Sequence, residues 1–334
     1  MTRPALINLP DAVHRIAAAR KIIITTHARA DGDALACTMA MQRILREIGD
    51  DVHAYLHEPV QSRYAFLIGD GPPRVWSPAE AAGILAAAEL LLIVDTCAAN
   101  QLGNVADPIR RAALPKLAID HHITRDDIAD AAFVDESAAA CAQLIVELCD
   151  HAGWTIDRVS AEILFVGLAT DTGWFRFSNT DGGTLSTASR LVSAGAMPNE
   201  LYERLYLCET LPRARLIGEI MSSFELLADG RLAVIRLRRD AFRRAGAKPD
   251  MTEELINDPQ RLGSVVACVM LVEPMDDGPV RVSLRSKRDI DVARIAGKFG
   301  GGGHARAAGA KINAPFEQAA DQVVGAMLAA MDAR

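Results

Sequence analysis

The chain has 334 residues, 50% hydrophobic and 24% charged, a composition that excludes a disordered chain and leaves room for two ordinary domains. Its net charge of −7 argues against a long basic track for polynucleotide, because such affinity comes from many cation–phosphate contacts. No stretch approaches the ~20 apolar residues of a spanning helix, and the start holds no apolar run of signal-peptide length, so a cytoplasmic protein with no membrane partner is expected.

In chain order, residues 21–27 (KIIITTH) form an apolar, β-branched run, followed by a short loop and a helical pattern from Ala34 to Ile48 that stops at Gly49. The unit recurs: strand Val52–Leu56, helix Ala79–Ala88, strand Leu90–Asp95, strand Lys116–Asp120. Short apolar strands separated by helices predict an α/β domain built on a parallel sheet. From Ser137 to about Leu227 the pattern is mostly helical, broken by the loop Thr170–Asp181 and by Pro198 and Pro212, with an inter-domain connector near 190–212. After Gly230 the alternation returns (RLAVIRLR, SVVACVMLV, VRVSLRS), then a glycine run Gly300–Gly303 and an amphipathic helix Pro315–Met331 predict a second, smaller α/β domain. The six cysteines (Cys37, Cys97, Cys141, Cys149, Cys208, Cys268) show no CxxC pair, which predicts buried reduced thiols.

Acidic residues fall where the predicted strands run out: Asp31 and Asp33 after the first, Asp95 and Asp120 at the ends of two others. Ligands of open parallel sheets bind at those carboxyl ends, so the residues are expected to converge. His27-Ala-Arg-Ala-Asp31-Gly-Asp33 concentrates imidazole and carboxylate in one loop, a donor set suited to Mn²⁺ or a similar ion. As an isolated motif it is equally a turn capping the next helix. Asp120-His121-His122 ends an apolar strand and is harder to explain by packing. Asp171, in LATDTGWFRF, follows an apolar helix. Asp31, Asp33, Asp95 and Asp171 in one pocket would repel each other and an anionic substrate. Two divalent cations cancel their four charges, so a binuclear centre is expected.

Between Arg281 and Arg306 seven Lys/Arg stand against Asp289 and Asp291. Within that segment Arg285-Ser286-Lys287 and the run Gly300-Gly-Gly-Gly303-His304-Ala-Arg306 combine close backbone approach with bidentate cations, which favours phosphate binding over a plain loop.

These motifs, in this order and over nearly the whole chain, resemble the DHH/DHHA1 phosphoesterases, close to the NrnA-type nanoRNases and 3′-phosphoadenosine-5′-phosphate (pAp) phosphatases. The family's GGGHxxAAG signature stands here as Gly301 to Gly309. The resemblance implies a DHH metal-binding domain over 1–190, a helical connector over 191–212, and a DHHA1 substrate-binding domain over 213–334, with a cleft between the two domains. It implies that His27 and Asp31 hold one metal, Asp33, His121 and Asp171 the other, and that Asp95 bridges them. Two divalent ions are expected, Mn²⁺ before Mg²⁺ or Co²⁺. By the same resemblance His122 faces the substrate phosphate, Asp120 orients the histidine pair, and Arg285, Ser286, Gly302, Gly303, His304 and Arg306 hold the nucleotide. Ala30 stands where the family usually has proline, which bears on loop stiffness.

The implied activity is hydrolysis of oligoribonucleotides of a few residues, including pApA, and of pAp, to mononucleotides. In-line attack on phosphorus is expected, with His122 hydrogen-bonding the phosphoryl oxygens or protonating the leaving oxygen. Cyclic di-AMP cleavage remains open within the enzyme class; a non-catalytic nucleotide sensor is the reading from another class. Chain length and charge disfavour processive single-strand DNA degradation, and the GGGH segment argues against a family II pyrophosphatase. A homodimer is left open.

Overall fold

The structure is a computed structural model that describes residues 4–69, 71–252, 254–287 and 290–332; Arg288 and Asp289 of the basic segment lie outside them. The chain divides into two compact units, Met1–Cys208 and Glu209–Arg334.

In the first unit the elements are β1 (Ala5–Leu6), α1 (Leu9–Ala17), β2 (Lys21–Thr25), α2 (Gly32–Glu47), β3 (Asp51–Leu56), β4 (Arg74–Val75), α3 (Ala81–Ala86), β5 (Leu90–Val94), α4 (Ala106–Arg111), β6 (Lys116–Asp120), β7 (Ala131–Val134), α5 (Cys141–Ala152), α6 (Arg158–Asp171), α7 (Gly182–Ser193) and α8 (Pro198–Tyr206). The strands form an all-parallel sheet in the order β1-β7-β6-β5-β2-β3-β4. Strand order reverses between β2 and β5, the switch point where open parallel sheets place their ligands. One face is buried under α1, α2, α5 and α6 through Ile22, Ile24, Leu92 and Ile119, and Leu201 and Leu205 of α8 join that core. The opposite face packs Ile23, Leu91 and Ile93 against Leu85 and Ile109 of the short α3 and α4.

Strand β4 pairs only with Tyr55 and Leu56, so the first half of β3 has an open edge. Side chains of α2 cover it. Gln42 accepts from Ala54 N (2.7 Å) and donates to Gly71 O (2.7 Å), and Arg46 Nε donates to Val52 O (2.7 Å). Satisfying the edge this way removes a template for strand addition.

The second unit holds α9 (Leu211–Ser223), β8 (Glu225–Leu227), β9 (Leu232–Leu237), α10 (Arg239–Ala245), β10 (Ala267–Val272), β11 (Val280–Ser286), α11 (Val292–Gly297), β12 (Gly302–His304), β13 (Ala307–Ile312) and α12 (Phe316–Asp332). Its mixed sheet runs β12-β13-β11-β10-β9-β8, with α11 and α12 on one face and α9 and α10 on the other. The α/β class of both units is the one expected.

Several elements depart from expectation. Strand β7 is Ala-rich and carries little β propensity, so its pairing with β6 and β1 makes it a strand. The glycine run is not all loop: Gly302 and Gly303 form β12. Cys208 is exposed, whereas the other five cysteines are buried; all six are free thiols. Among the described residues no helix is long and apolar enough to cross a membrane.

Candidate metal centre

Three neighbouring strands end at the switch point and deliver the candidate residues. His27 follows β2, with Nε2 3.8 Å from Asp31 and 3.6 Å from Asp95. Asp31 caps α2 by accepting from Ala34 N at 3.1 Å on Oδ1, the same oxygen that lies near His27. Asp95 follows β5 with a left-handed backbone (φ 59°) that aspartate tolerates better than most residues. Its carboxylate lies 3.4 Å from His121 Nε2 and 3.8 Å from His122 Nδ1.

Asp120 ends β6 fully buried and acts as a local clamp. One oxygen accepts from His121 N (2.8 Å), His122 N (3.1 Å) and His122 Nδ1 (2.7 Å). His121 Nδ1 donates to Ala138 O (3.1 Å), which fixes the tautomer and turns Nε2 toward Asp95 and Asp171. Asp171, the last residue of α6, lies 3.4 Å from that Nε2.

Asp33 shows a partner that sequence reasoning missed. Ala140 precedes α5 and offers it no side-chain cap, leaving the first N–H groups of the helix in need of partners. Asp33 supplies the cap from 108 residues away, accepting from Cys141 N (2.6 Å) and Ala142 N (3.0 Å). The uncapped stretch Ser137-Ala-Ala-Ala140 was the available signal. Close approach of α6 to α2 also depends on two glycines: a Cβ at Gly32 would meet the Thr170 side chain, and one at Gly167 would meet Asp33 and Ala36. His57 at the end of β3 was missed too; its Nε2 lies 2.9 Å from Thr26 O, bracing the strand end before His27.

Without cations the cluster holds protons. Burial raises Asp33, helped by the charge of Asp95, to about 7, and raises Asp171 well above the usual carboxylate range, helped by Asp33. Burial alone would lower the histidines, but hydrogen bonding to Asp95 and nearby carboxylates carry His27 up to about 9 and His121 to about 11. Asp95 goes the other way, because the His121 and His27 hydrogen bonds outweigh its burial.

Divalent cations fit these residues. Asp95 Oδ1 is buried with no well-formed hydrogen bond, His121 Nε2 standing 3.4 Å away, a costly state that a cation relieves. Three overlapping triads have ligand atoms mutually within 4.8 Å: His27, Asp31 and Asp95; Asp33, His121 and Asp171; Asp95, His121 and His122. Mixed imidazole and carboxylate donors suit Mn²⁺ and its neighbours.

In the second unit Arg285 lies on β11, half-buried, with Nη1 donating to Leu284 O (3.1 Å); burial lowers its pKa. Ser286 is buried and donates to Ile290 O (2.6 Å). Arg306 Nη1 donates to the same carbonyl (3.1 Å) from the β12–β13 turn. His304 ends β12 and is exposed. Gly303 (φ 136°) has a structural duty, since a Cβ there would stand 2.5 Å from Ala307 O.

Residues 21–168 match the DHH family, N-terminal domain, and residues 229–333 match the DHHA1 domain. The bifunctional oligoribonuclease and PAP phosphatase NrnA of Thermus thermophilus is 30% identical over 92% of this chain and 89% of its own length. The Bacillus subtilis protein of the same name is 29% identical over 87% and 89%. The crystal structure of an exopolyphosphatase-related protein from Bacteroides fragilis shares the fold, with a TM-score of 0.89, 22% identity and coverage of 95% of this chain and 94% of that one. With both domains matched and these relatives spanning its length, the chain belongs to the DHH/DHHA1 phosphoesterase family, among its NrnA-like members.

Proposed function

We propose that this chain is a divalent-metal-dependent phosphoesterase that hydrolyses oligoribonucleotides of a few residues, pApA among them, and/or pAp, to mononucleotides. The observation that carries this reading is the set of overlapping triads at the strand switch point, two of which share Asp95. The full-length similarity to bifunctional oligoribonuclease and PAP phosphatases supports the substrate class.

His27 and Asp31 would hold one cation, Asp33, His121 and Asp171 the other, and Asp95 both. Bound cations, most simply Mn²⁺, neutralise the carboxylates and the phosphate and lower the pKa of water. The chain's own residues do the rest. Asp120 holds the Nδ1 proton of His122 at 2.7 Å, which fixes that ring to hydrogen-bond a phosphoryl oxygen or donate to the leaving oxygen. The Ala138 carbonyl holds the Nδ1 proton of His121 in turn, which would leave Nε2 free for the cation. Arg285, Ser286, Gly302, Gly303, His304 and Arg306 are assigned to the nucleotide's phosphate.

The test is a Mn²⁺-dependent assay of the purified protein on pAp, pApA, cyclic di-AMP, and labelled short and long RNA. Rates that fall steeply with length are expected; preference for long DNA or RNA defeats the substrate reading. Asp95→Ala should abolish turnover and Arg285→Ala should mainly raise KM. Equal turnover by wild type and Asp95→Ala overturns the metal assignment, and tight nucleotide binding without turnover would favour a sensor.

A further inference from the structure

A groove of about 320 Å³ lies on the sheet face opposite α2 and α6. Its floor is the first half of β2 and β3, where Lys21 pairs with Asp51 and Ile23 with His53 in register. Arg74, beside Tyr55 on β4, forms one rim, and Ile84, Ala87 and Ala88 form an apolar wall. Lys21 begins β2 and His27 follows its end, so by strand rise the Lys21 end of the groove stands about 20 Å from the metal centre, while Arg74 is in register with Tyr55 and Thr25.

Its charges are unevenly compensated. Asp51 lies 3.1 Å from His53 Nε2, and Arg46 reaches round the open edge of β3 to stand 3.5 Å from His53 Nδ1. This chain of contacts suits a neutral imidazole that donates to Asp51 and accepts from Arg46. Arg74 donates to the Tyr55 hydroxyl (3.0 Å) and lies over its ring. Among the described residues no carboxylate stands within ion-pair distance of Lys21, Arg46 or Arg74. The nearby Glu89 carboxylate is turned onto the backbone N–H groups of Arg20 and Lys21, and Asp50 pairs with Arg20. In the groove's lining Lys21 and Arg74 face the Asp51 carboxylate, with Arg46 at the edge beside His53 and the Glu89 carboxylate behind Lys21. Burial lowers the pKa of Arg46 and of His53, and Arg74 lowers both further, which is the strain an anion would relieve.

We propose that this groove binds a small phosphate-bearing anion, its phosphate held by Arg74 and Lys21 and any attached nucleoside against the Ile84–Ala88 wall. The two cations of the lining outnumber its one carboxylate, a guanidinium fork suits phosphate oxygens, and the volume admits one nucleotide at the lower end of small-ligand sites. The reaction proposed above releases such a monoester, so the groove would sense product.

The test is calorimetric titration of the full-length protein with 5′-AMP and, separately, orthophosphate. It is run in EDTA and in an Arg285→Ala background, so that neither the metal cluster nor that cation contributes. Saturable binding that weakens with added salt is expected, with Arg74→Gln or Lys21→Gln reducing affinity about tenfold. Equal affinity for the two probes assigns recognition to the phosphate, and tighter AMP binding adds the wall; both support the site. Hydrolysis by Arg74→Gln without the background substitution should match wild type, which confirms folding and keeps this test separate from the activity. No saturable binding by the background protein, or affinity unchanged in both Arg74→Gln and Lys21→Gln, overturns the proposal.

Discussion

Gly167→Ala is the sharpest test of how the helices hold Asp33. The new methyl would stand 2.7 Å from Asp33 Oδ1, 2.9 Å from the Ala36 Cβ and 3.0 Å from the Ala142 Cβ. Comfortable separations are about 3.5–4.0 Å, so neighbours on α2 and α5 must both give way. Helix propensity favours alanine by about 1 kcal/mol, while overpacking costs about 1–3 kcal/mol. Displacing Asp33 also loosens its 3.0 Å bond from Ala142 N, a charged hydrogen bond worth about 1.5–3 kcal/mol. The balance is a net destabilisation of about 1–3 kcal/mol, and for a unit of this size each kcal/mol lowers Tm by about 2–4 °C. Metal affinity should fall further, with Mn²⁺ half-saturation raised about tenfold, equivalent to about 1.4 kcal/mol. Calorimetric melting in EDTA and in Mn²⁺, with a Mn²⁺ titration, reads both effects. A variant that melts at or above wild type and binds Mn²⁺ equally would refute the reasoning that close helix packing pins Asp33.

Mn²⁺ binding at pH 7 should release roughly two or more protons, because ligation needs deprotonated donors and the metal-free cluster holds His27 at about 9, His121 at about 11 and a raised Asp171; titration in buffers of different ionisation enthalpy measures the number, and zero release would contradict the charge analysis. Asp157 caps α6 through Ser160 N (2.8 Å) and grips Arg43 of α2, whose hydrogen bond holds its pKa at about 2. Its folded pKa is depressed, so the stability it adds is present above the ordinary carboxylate range and lost as pH falls toward about 2. Discounted for solvent screening, that is about 1 kcal/mol, plus about 1 kcal/mol for the cap; urea melts of Asp157→Ala should show the gap to wild type narrowing as pH falls below about 4. A thiol reagent should modify Cys208 at once and the five buried cysteines only on unfolding; several fast thiols would contradict the packing.

The strands bearing the site were legible because each is an apolar run that ends abruptly in Asp or His, and burial of both sheet faces forces that pattern. Their convergence was legible from the same fact, since parallel strands share one carboxyl end. What the sequence hid was long-range. Ala131–Val134 becomes a strand through its neighbour β6, and the cap of α5 sits on Asp33, 108 residues earlier. Gly167 reads locally as a weak spot in a helix, yet its missing side chain is what admits Asp33. The glycines before His304 were read for their affinity toward anions; the structure adds that β12 cannot approach β13 with a side chain at Gly301 or Gly303.

Strand β1 lies at the far edge of the sheet, paired with β7, so that Ala5 meets Ala131. On a ribosome adding about 5–20 residues per second, strand β1 waits roughly 6–25 s for β7. Asp171 emerges later still, and until it does the triad of Asp33, His121 and Asp171 cannot close. A nascent chain can therefore gather His27, Asp31 and Asp95 well before the second triad exists, and metal capture during synthesis should proceed in two stages separated by the making of α5 and α6.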